Sequence, residues 1–227
     1  MSPFRQSYRT RLSVLLFASL CIPTSLFARA QVVYLEGDVT IERRGQVADA
    51  DFGDAVMEGD RVRTGARSTV IIDLGSAGEL KLRADSEVVI EENRVREATV
   101  GLEHGGLFSR VRSSYEGRFR VRTDTVVAGV RGTEFFTAFG RTIDDRPDLW
   151  LCVETGEVLV EVPEAGASQL VRAGEGINIL AGTQLTTPRR YRWTLELNWN
   201  MDPDAGPVFD TTDLDQAYGD LLDQDYD

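Results

Sequence analysis

The residues that most often carry enzyme chemistry are sparse in this sequence. The chain of 227 residues has one histidine, His104, and two cysteines, Cys21 and Cys152. A serine–histidine–aspartate triad or a histidine-based zinc site would therefore depend on His104 alone. His104 adjoins Gly105 and Gly106, which favours a structural role in a turn. Carboxylates are abundant, but no two are marked out as a catalytic pair, so we predict no catalytic residues and no enzymatic activity. Hydrolysis by an unmarked pair is the remaining catalytic alternative.

The C-terminal region could bind ions or nucleic acid. Asp223-Gln-Asp-Tyr-Asp227 alternates carboxylates as the first half of a calcium loop does, but it lacks the glycine and distal glutamate that complete one. We therefore predict no specific metal site and no cofactor. The basic and aromatic run from Arg189 to Trp193 could contact nucleic acid or a glycan. The formal net charge of −12 opposes phosphate binding, so we expect no nucleic-acid partner and predict that Trp193 and Trp199 anchor a terminal strand on the core.

The N-terminal 30 residues have the composition of an export signal. Arg5, Arg9 and Arg11 precede the apolar stretch 12–20, and Ala28-Arg-Ala30 offers the small residues that signal peptidase reads. We predict cleavage after Ala30 and a periplasmic or secreted mature chain. An uncleaved anchor is the alternative. Because the apolar run is shorter than the ~20 residues of a spanning helix, we expect no stable membrane span after cleavage.

Removal of this segment would change the charge and the cysteine content. It would leave 21 basic and 37 acidic residues, a formal net charge of −16, which favours basic or cationic partners. Cys152 would be the one remaining cysteine. Its neighbours Trp150, Leu151 and Val153 indicate a buried hydrophobic role, with a reactive thiol or an intermolecular bridge as alternatives.

Short alternating segments bounded by glycine or charged turns dominate residues 31–187. In Arg118–Arg122, period two puts Phe119 and Val121 on one face and three arginines on the other, either solvated or forming a binding stripe. A loose repeat places glycines at 37, 59, 105, 156 and 174, each of which we interpret as a positive-φ turn before a strand. The predicted fold class is all-β, solenoid-like or sandwich-like, with a short acidic C-terminal tail.

Composition divides the chain into four segments. Residues 1–30 are the signal peptide, 31–187 the β domain, 188–201 a terminal aromatic segment and 202–227 an acidic tail. Leu195–Trp199 alternates like a strand. The tail is either disordered or a short, marginal helix. The helical alternative is indicated by the spacing of Leu214, Ala217, Tyr218, Leu221 and Leu222, with Thr212 or Asp213 as N-cap.

The most informative stretch is Asp124–Phe136, an apolar strand interrupted by two glycines. Because glycine packs nothing inside a strand, Gly129 and Gly132 indicate a tight bend, a bulge or a close backbone approach. A charge in an apolar strand needs a partner. We therefore predict that Arg131 pairs with backbone carbonyls or a carboxylate, with an exposed position on a turn as the alternative.

The run Val130-Arg-Gly-Thr-Glu-Phe135 resembles the signature of the FecR domain, found in bacterial regulators of iron-dicitrate uptake and in many exported proteins. The resemblance is strongest over 56–179. It follows six elements in order: Met57–Gly65, Ser68–Arg83, Val100–Phe108, Phe119–Asp124, the signature run, and Val153–Val158. The resemblance implies that the signature turn is a structural or interaction site. That turn comprises Gly129, Val130, Arg131, Gly132, Thr133 and Phe135.

The resemblance also implies a function. The regulators that define the family carry a cytoplasmic anti-sigma segment and a membrane span before this domain, whereas a predicted signal peptide precedes it here. We predict a non-catalytic protein-interaction or sensing module of the cell envelope that docks another envelope protein, with a link to iron-dicitrate-type signalling. The alternative is a structural envelope component that binds glycan or matrix.

Overall fold

The computed structural model describes residues 30–143 and 146–223, in which strands predominate. The first nine strands are β1 Ala30–Glu36, β2 Val39–Arg43, β3 Gln46–Asp49, β4 Ala55–Val56, β5 Arg61–Thr64, β6 Thr69–Asp73, β7 Gly78–Leu82, β8 Ser86–Arg94 and β9 Glu97–Val111. The other nine are β10 Arg118–Arg122, β11 Val127–Val130, β12 Glu134–Ile143, β13 Arg146–Thr155, β14 Glu157–Val162, β15 Ala167–Arg172, β16 Glu175–Leu180, β17 Gln184–Leu185 and β18 Arg189–Arg190. Two short 3-10 helices, Pro163–Ala165 and Arg192–Leu195, and one α-helix, α1 Leu214–Asp223, complete the fold. The all-β prediction is confirmed.

The strands form two sheets that share β9. Sheet 1 has the order β4-β1-β6-β7-β9-β12-β13-β16, with β17 and β18 both paired to β16. Sheet 2 has the order β3-β2-β5-β8-β9-β10-β11-β14-β15. The first half of β9 lies in sheet 2 and the second half in sheet 1. Successive hairpins alternate between the sheets, so the molecule is a sandwich built in a solenoid-like order.

The main core lies between the two sheets and follows from period-two alternation. In β14 every second residue is buried, which turns Val158, Val160 and Val162 inward. Phe119 and Val121 of β10 are buried in the same core, as their spacing predicts. All five repeat glycines have φ between 78° and 88°. The turn interpretation is confirmed for Gly37, Gly59, Gly156 and Gly174. It is wrong for Gly105, which lies inside β9 where that strand passes from sheet 2 to sheet 1.

A second core covers the outer face of sheet 1. Residues 189–223, called here the C-terminal strap, lie across that face and bury a row of its side chains. The row consists of Ile71, Phe108, Phe136, Trp150 and Cys152, and the strap contributes Tyr191, Trp193, Leu197, Met201, Val208, Ala217 and Tyr218. This face of sheet 1 can carry hydrophobic side chains because the strap shields them from solvent.

The prediction of a strand at Leu195–Trp199 is wrong. The 3-10 helix ends at Leu195, which is 81% exposed, and the next residues have no strand partner in the described ranges. Trp199 packs edge-on against Phe108, with ring centroids 5.2 Å apart, and its indole nitrogen donates to the carbonyl of Thr194. Trp193 and Trp199 do anchor the segment, but through side chains on sheet 1 rather than through a strand ladder.

The helix of the acidic tail is capped as its sequence predicts. One carboxylate oxygen of Asp213 accepts from the backbone amides of Asp215 and Gln216, 3.0 and 3.1 Å away. Ala217 and Tyr218 face sheet 1 and are buried. The predicted positions 221 and 222 lie outside the residues whose side chains are described.

The N-terminal prediction falls almost wholly outside the described residues. Ala30 begins β1 and is buried. Within residues 30–143 and 146–223, no helix is long and apolar enough to cross a bilayer.

Candidate functional site

The signature turn carries the chain from sheet 2 to sheet 1. β11 ends at Val130 and β12 begins at Glu134, so three residues make the crossing. Gly132 has φ +62°, a left-handed conformation, and a Cβ there would lie 3.2 Å from Ser113 Cα. The bend and close approach predicted for Gly132 are confirmed.

Thr133 belongs to a set of three buried hydroxyl residues at crossing turns. Ser68, Ser86 and Thr133 lie just before or at the start of the next strand, and each is nearly inaccessible to solvent. Each hydroxyl lies 3.1–3.2 Å from the carbonyl oxygen two residues earlier. Thr133 Oγ1 also lies 3.0 Å from the carbonyl of Glu157, the first residue of β14. Each hydroxyl therefore stabilises its own turn, and that of Thr133 also joins the turn to β14.

Each of these hydroxyls faces a glycine with positive φ. The partners are Gly37, Gly105 and Gly156, and a Cβ at any of them would lie within 3.0 Å of the hydroxyl oxygen. The amides of Asp38 and Gly106 donate to the serine oxygens at 2.8 and 2.9 Å. Sequence reasoning found the glycines but missed their hydroxyl partners, because the partners are up to 31 residues away in sequence. Thr133 of the signature therefore has a structural role, because its hydroxyl links the signature turn to the start of β14.

The bend predicted at Gly129 is wrong. Gly129 lies inside β11, in register with Arg120 on one side and Leu159 on the other. Its φ is not positive, and a Cβ there would meet one atom within 4 Å, the Leu159 carbonyl oxygen at 4.0 Å. The missing side chain shapes the outer surface of sheet 2 and leaves the backbone path unchanged.

The pairing predicted for Arg131 is also wrong. Arg131 is exposed, and its guanidinium forms no hydrogen bond or ion pair within the described part of the chain. The strand ends one residue earlier, so the turn carries Arg131 out of the apolar layer. The alternative, an exposed arginine on a turn, is what the fold contains.

Gly129 and Arg131 line a groove of about 750 Å³ on the outer face of sheet 2. Its floor is formed by Gly129, Leu159 and Leu170, which lie in register on β11, β14 and β15. Leu159 is 42% exposed, an unusual position for a large apolar side chain. An apolar floor with an empty position beside Leu159 can accept a side chain from another molecule.

The walls of the groove carry opposite charges. Arg118 and Arg120 of β10 lie on one side of Gly129, and Glu157 and Glu161 of β14 lie on the other side, before and after Leu159. Arg131 lies at the end of the groove nearest the signature turn. Both wall arginines have acidic partners outside the groove, at Glu97 and Glu92 respectively, 3.1 and 3.7 Å away. The arginine face of β10 is therefore an ion-paired surface that forms one edge of the groove.

A smaller cavity of about 300 Å³ lies between sheet 1 and α1. Asp148, buried at its wall, accepts from the hydroxyl of Tyr218 and from the backbone amide of Ala181. The indole nitrogen of Trp150 has no partner within the described ranges. His104 stands at the rim against Gly140, whose φ is +104° and where a Cβ would overlap the imidazole. The predicted position of His104 in a turn is wrong, because His104 lies within β9 and is exposed at the rim of the cavity.

The remaining candidates for chemistry are buried or dispersed. Cys152 is fully buried, and burial raises the pKa of its thiol well above the ordinary value. The buried hydrophobic role predicted for it is confirmed. In the described ranges, no three or more His, Cys, Asp or Glu side chains come together as metal ligands. Four of the five residues of the calcium-like run, 224–227, lie outside those ranges.

Sequence reasoning missed Lys81, whose side chain binds the strap to sheet 1. It lies in β7 between buried leucines, yet it is fully buried under residues 198–200. Its ammonium donates to the carbonyls of Asn198 and Asn200, the latter at 2.8 Å, and stands 4.2 Å from the centre of the Phe108 ring. Burial lowers its pKa to about 8.

A second buried cation joins the same covering segment. Arg83 Nε lies 2.8 Å from Asp210 Oδ2, and both side chains are largely buried. A terminal nitrogen of Arg83, Nη2, donates to the carbonyl of Thr212. This ion pair and this hydrogen bond fix the strap where its chain has no regular secondary structure.

Comparison with known proteins gives one family match. Residues 60–159 match the model of the family described as FecR protein. Two crystal structures of a candidate anti-sigma factor from Parabacteroides distasonis ATCC 8503, at 1.65 and 2.50 Å resolution, align with a TM-score of 0.48 and 19% identity. The alignment covers 57% of this chain and 59% of that one. No curated protein matches at a significant level.

Proposed function

Because residues 60–159 of this chain are a FecR domain, we propose that the protein is an exported, non-catalytic interaction or sensing module of the bacterial cell envelope. Its partner in this proposal is another envelope protein. The finer form of the proposal is a role in iron-dicitrate-type signalling, which the family resemblance suggests.

The observation that carries the proposal is the position of the groove. Three residues of the signature turn, Gly129, Val130 and Arg131, line it, while Gly132 and Thr133 hold the turn that frames it. One part of the signature therefore fixes the fold and the other part shapes an open surface. Such a division suits a module that presents a surface to a partner.

Capture from envelope extracts tests the interaction role. The full chain, immobilised, is expected to retain one defined protein in stoichiometric amount. Addition of free chain is expected to compete with the immobilised chain and release that protein. Retention of peptidoglycan or polysaccharide without a protein partner would favour the glycan-binding alternative and contradict the proposal.

Export is tested separately. N-terminal sequencing of the protein recovered from the periplasm or the medium is expected to begin at Gln31. Recovery of the full chain from the cytoplasm would contradict the proposed location. For the finer form, deletion of the gene is expected to change transcription in response to ferric citrate, and an unchanged response would remove the iron link.

A further inference from the structure

We propose that the groove on sheet 2 binds an extended peptide segment of a partner protein. The segment presents an acidic, a large apolar and a basic side chain at alternate positions. This inference rests on the proposed function and specifies the chemistry of the partner. Six of the residues that line the groove, on β10, β11, the signature turn, β14 and β15, carry the argument: Arg120, Gly129, Arg131, Leu159, Glu161 and Leu170.

The floor of the groove fits one apolar side chain. Arg120, Gly129 and Leu159 lie side by side in register, and Leu170 continues the same row on β15. A Cβ at Gly129 would have one heavy atom within 4 Å, so the space above it is free. An apolar side chain placed there would cover the exposed surface of Leu159 and remove apolar area from water.

The charges at the two ends define the neighbours of that apolar side chain. Arg131 lies at one end, which Glu157 of β14 also lines, and it has no ion pair inside the described ranges. Glu161, in register with Val127, lies at the other end, and its carboxylate has no hydrogen bond or ion pair among the described residues. An acidic residue would therefore meet Arg131, and a basic residue would meet Glu161.

The spacing of these positions matches an extended chain. Val127 and Gly129 are two apart in β11, so they point to the same side of sheet 2. Arg131 follows two residues later in the signature turn, at the end of the groove. Four residues of extended chain span roughly 13 Å. A segment of about five residues laid along β11 would place its first, third and fifth side chains over the three positions.

The same lining argues against other ligand classes. The carboxylates of Glu157 and Glu161 and the net charge of −12 oppose a polyanion such as nucleic acid. Sugars commonly stack on aromatic rings, but Phe119, the one aromatic among the described lining residues, is buried in the core. The apolar floor between opposite charges fits a peptide best.

A labelled heptapeptide tests the inference. The probe is fluorescein-labelled Ser-Asp-Ser-Leu-Ser-Lys-Ser, and fluorescence anisotropy of the full chain is the readout. We expect saturable binding, and at least tenfold weaker binding for Gly129→Leu, which fills the empty position. Thr40→Leu, which adds the same side chain to the same sheet outside the groove, is the matched control and should bind as the wild type does.

Charge exchange supplies the second readout. Arg131→Glu is expected to weaken the probe several-fold, and replacement of the probe's aspartate by lysine is expected to restore the affinity. Absence of saturable binding, equal affinities for wild type and Gly129→Leu, or no rescue by the exchanged probe would each overturn the inference.

Failure here is distinguishable from failure of the proposed function. If Gly129→Leu captures the same envelope protein as the wild type, the groove is not the docking site but the interaction role stands. If the wild type captures no protein, the proposed function itself is overturned.

Discussion

The outer faces of the two sheets differ in how they meet solvent. Sheet 1 carries an aromatic and aliphatic row that the protein's own C-terminal strap covers, with Lys81 and Arg83 as buried fasteners. Sheet 2 carries ion-paired side chains and an open groove beside the signature turn. A face that its own chain closes is part of the core, whereas a face left open with an empty apolar position is available to other molecules.

The largest effect is expected where the strap meets sheet 1. Tyr191 packs edge-on against Trp150, with ring centroids 5.5 Å apart, and its hydroxyl donates to the carbonyl of Ala217. Tyr191→Ala should lower the free energy of unfolding by about 3–5 kcal/mol, because it empties a buried aromatic site. Urea denaturation measures this, and the exposed neighbour variant Arg192→Ala should lose less than about 0.5 kcal/mol. If Tyr191→Ala lost as little stability as Arg192→Ala, the strap would be only loosely attached.

The buried ammonium of Lys81 predicts a pH dependence of stability. Burial lowers its pKa from 10.5 to about 8, so between these values the unfolded chain binds a proton that the folded chain does not. Stability contributed by this residue is therefore lowest below pH 8 and rises between about pH 8 and 10.5, by about 3 kcal/mol in all.

The comparison with Lys81→Met isolates this effect from other groups. The difference in unfolding free energy between wild type and variant should shift in favour of the wild type as pH rises through that window. A difference independent of pH would show that Lys81 is solvated and that the strap does not bury it.

The two glycines of the signature provide a matched pair. Gly132→Val should cost more than about 1 kcal/mol, because a β-branched residue is strained at φ +62° and its Cβ approaches Ser113. Gly129→Val should change stability by less than about 0.5 kcal/mol, since its strand position is open. Thermal and urea midpoints measure both, and equal losses would contradict the separation of fold and surface roles.

A small effect is expected on the ion-paired surface of sheet 2. Arg122 lies 2.9 Å from Glu91, and both side chains are partly exposed. Arg122→Ala should lower stability by about 0.2–1 kcal/mol, less at high salt, because water and ions screen exposed pairs. A loss above that range would show that the surface is a structural network rather than a solvated face.

The parts of the fold that depend on local pattern could be predicted from the sequence. Period-two alternation indicated the strands and the inward side of β10, and four of the five repeat glycines correctly indicated turns. The neighbours of Cys152 indicated its burial. Each of these features is determined by residues within a few positions of one another.

The parts that failed depend on contacts between distant segments. Lys81 is buried only because residues 198–200 cover it, more than 110 positions later. The empty space at Gly129 exists because β10 and β14 flank β11, a pairing that local pattern does not specify. The sequence pattern places Arg131 in an apolar strand because the end of β11 cannot be located from composition alone.

Thiol reactivity tests the contrast between the two faces most directly. In a Cys21→Ser background, Cys152 lies under the strap on sheet 1, and a Gly129→Cys variant places a second thiol in the groove of sheet 2. With Ellman's reagent under native conditions, the thiol at position 129 should react at least about 100-fold faster than Cys152, whose buried thiol has a raised pKa. Rapid labelling of Cys152, or equal rates at the two positions, would contradict the account.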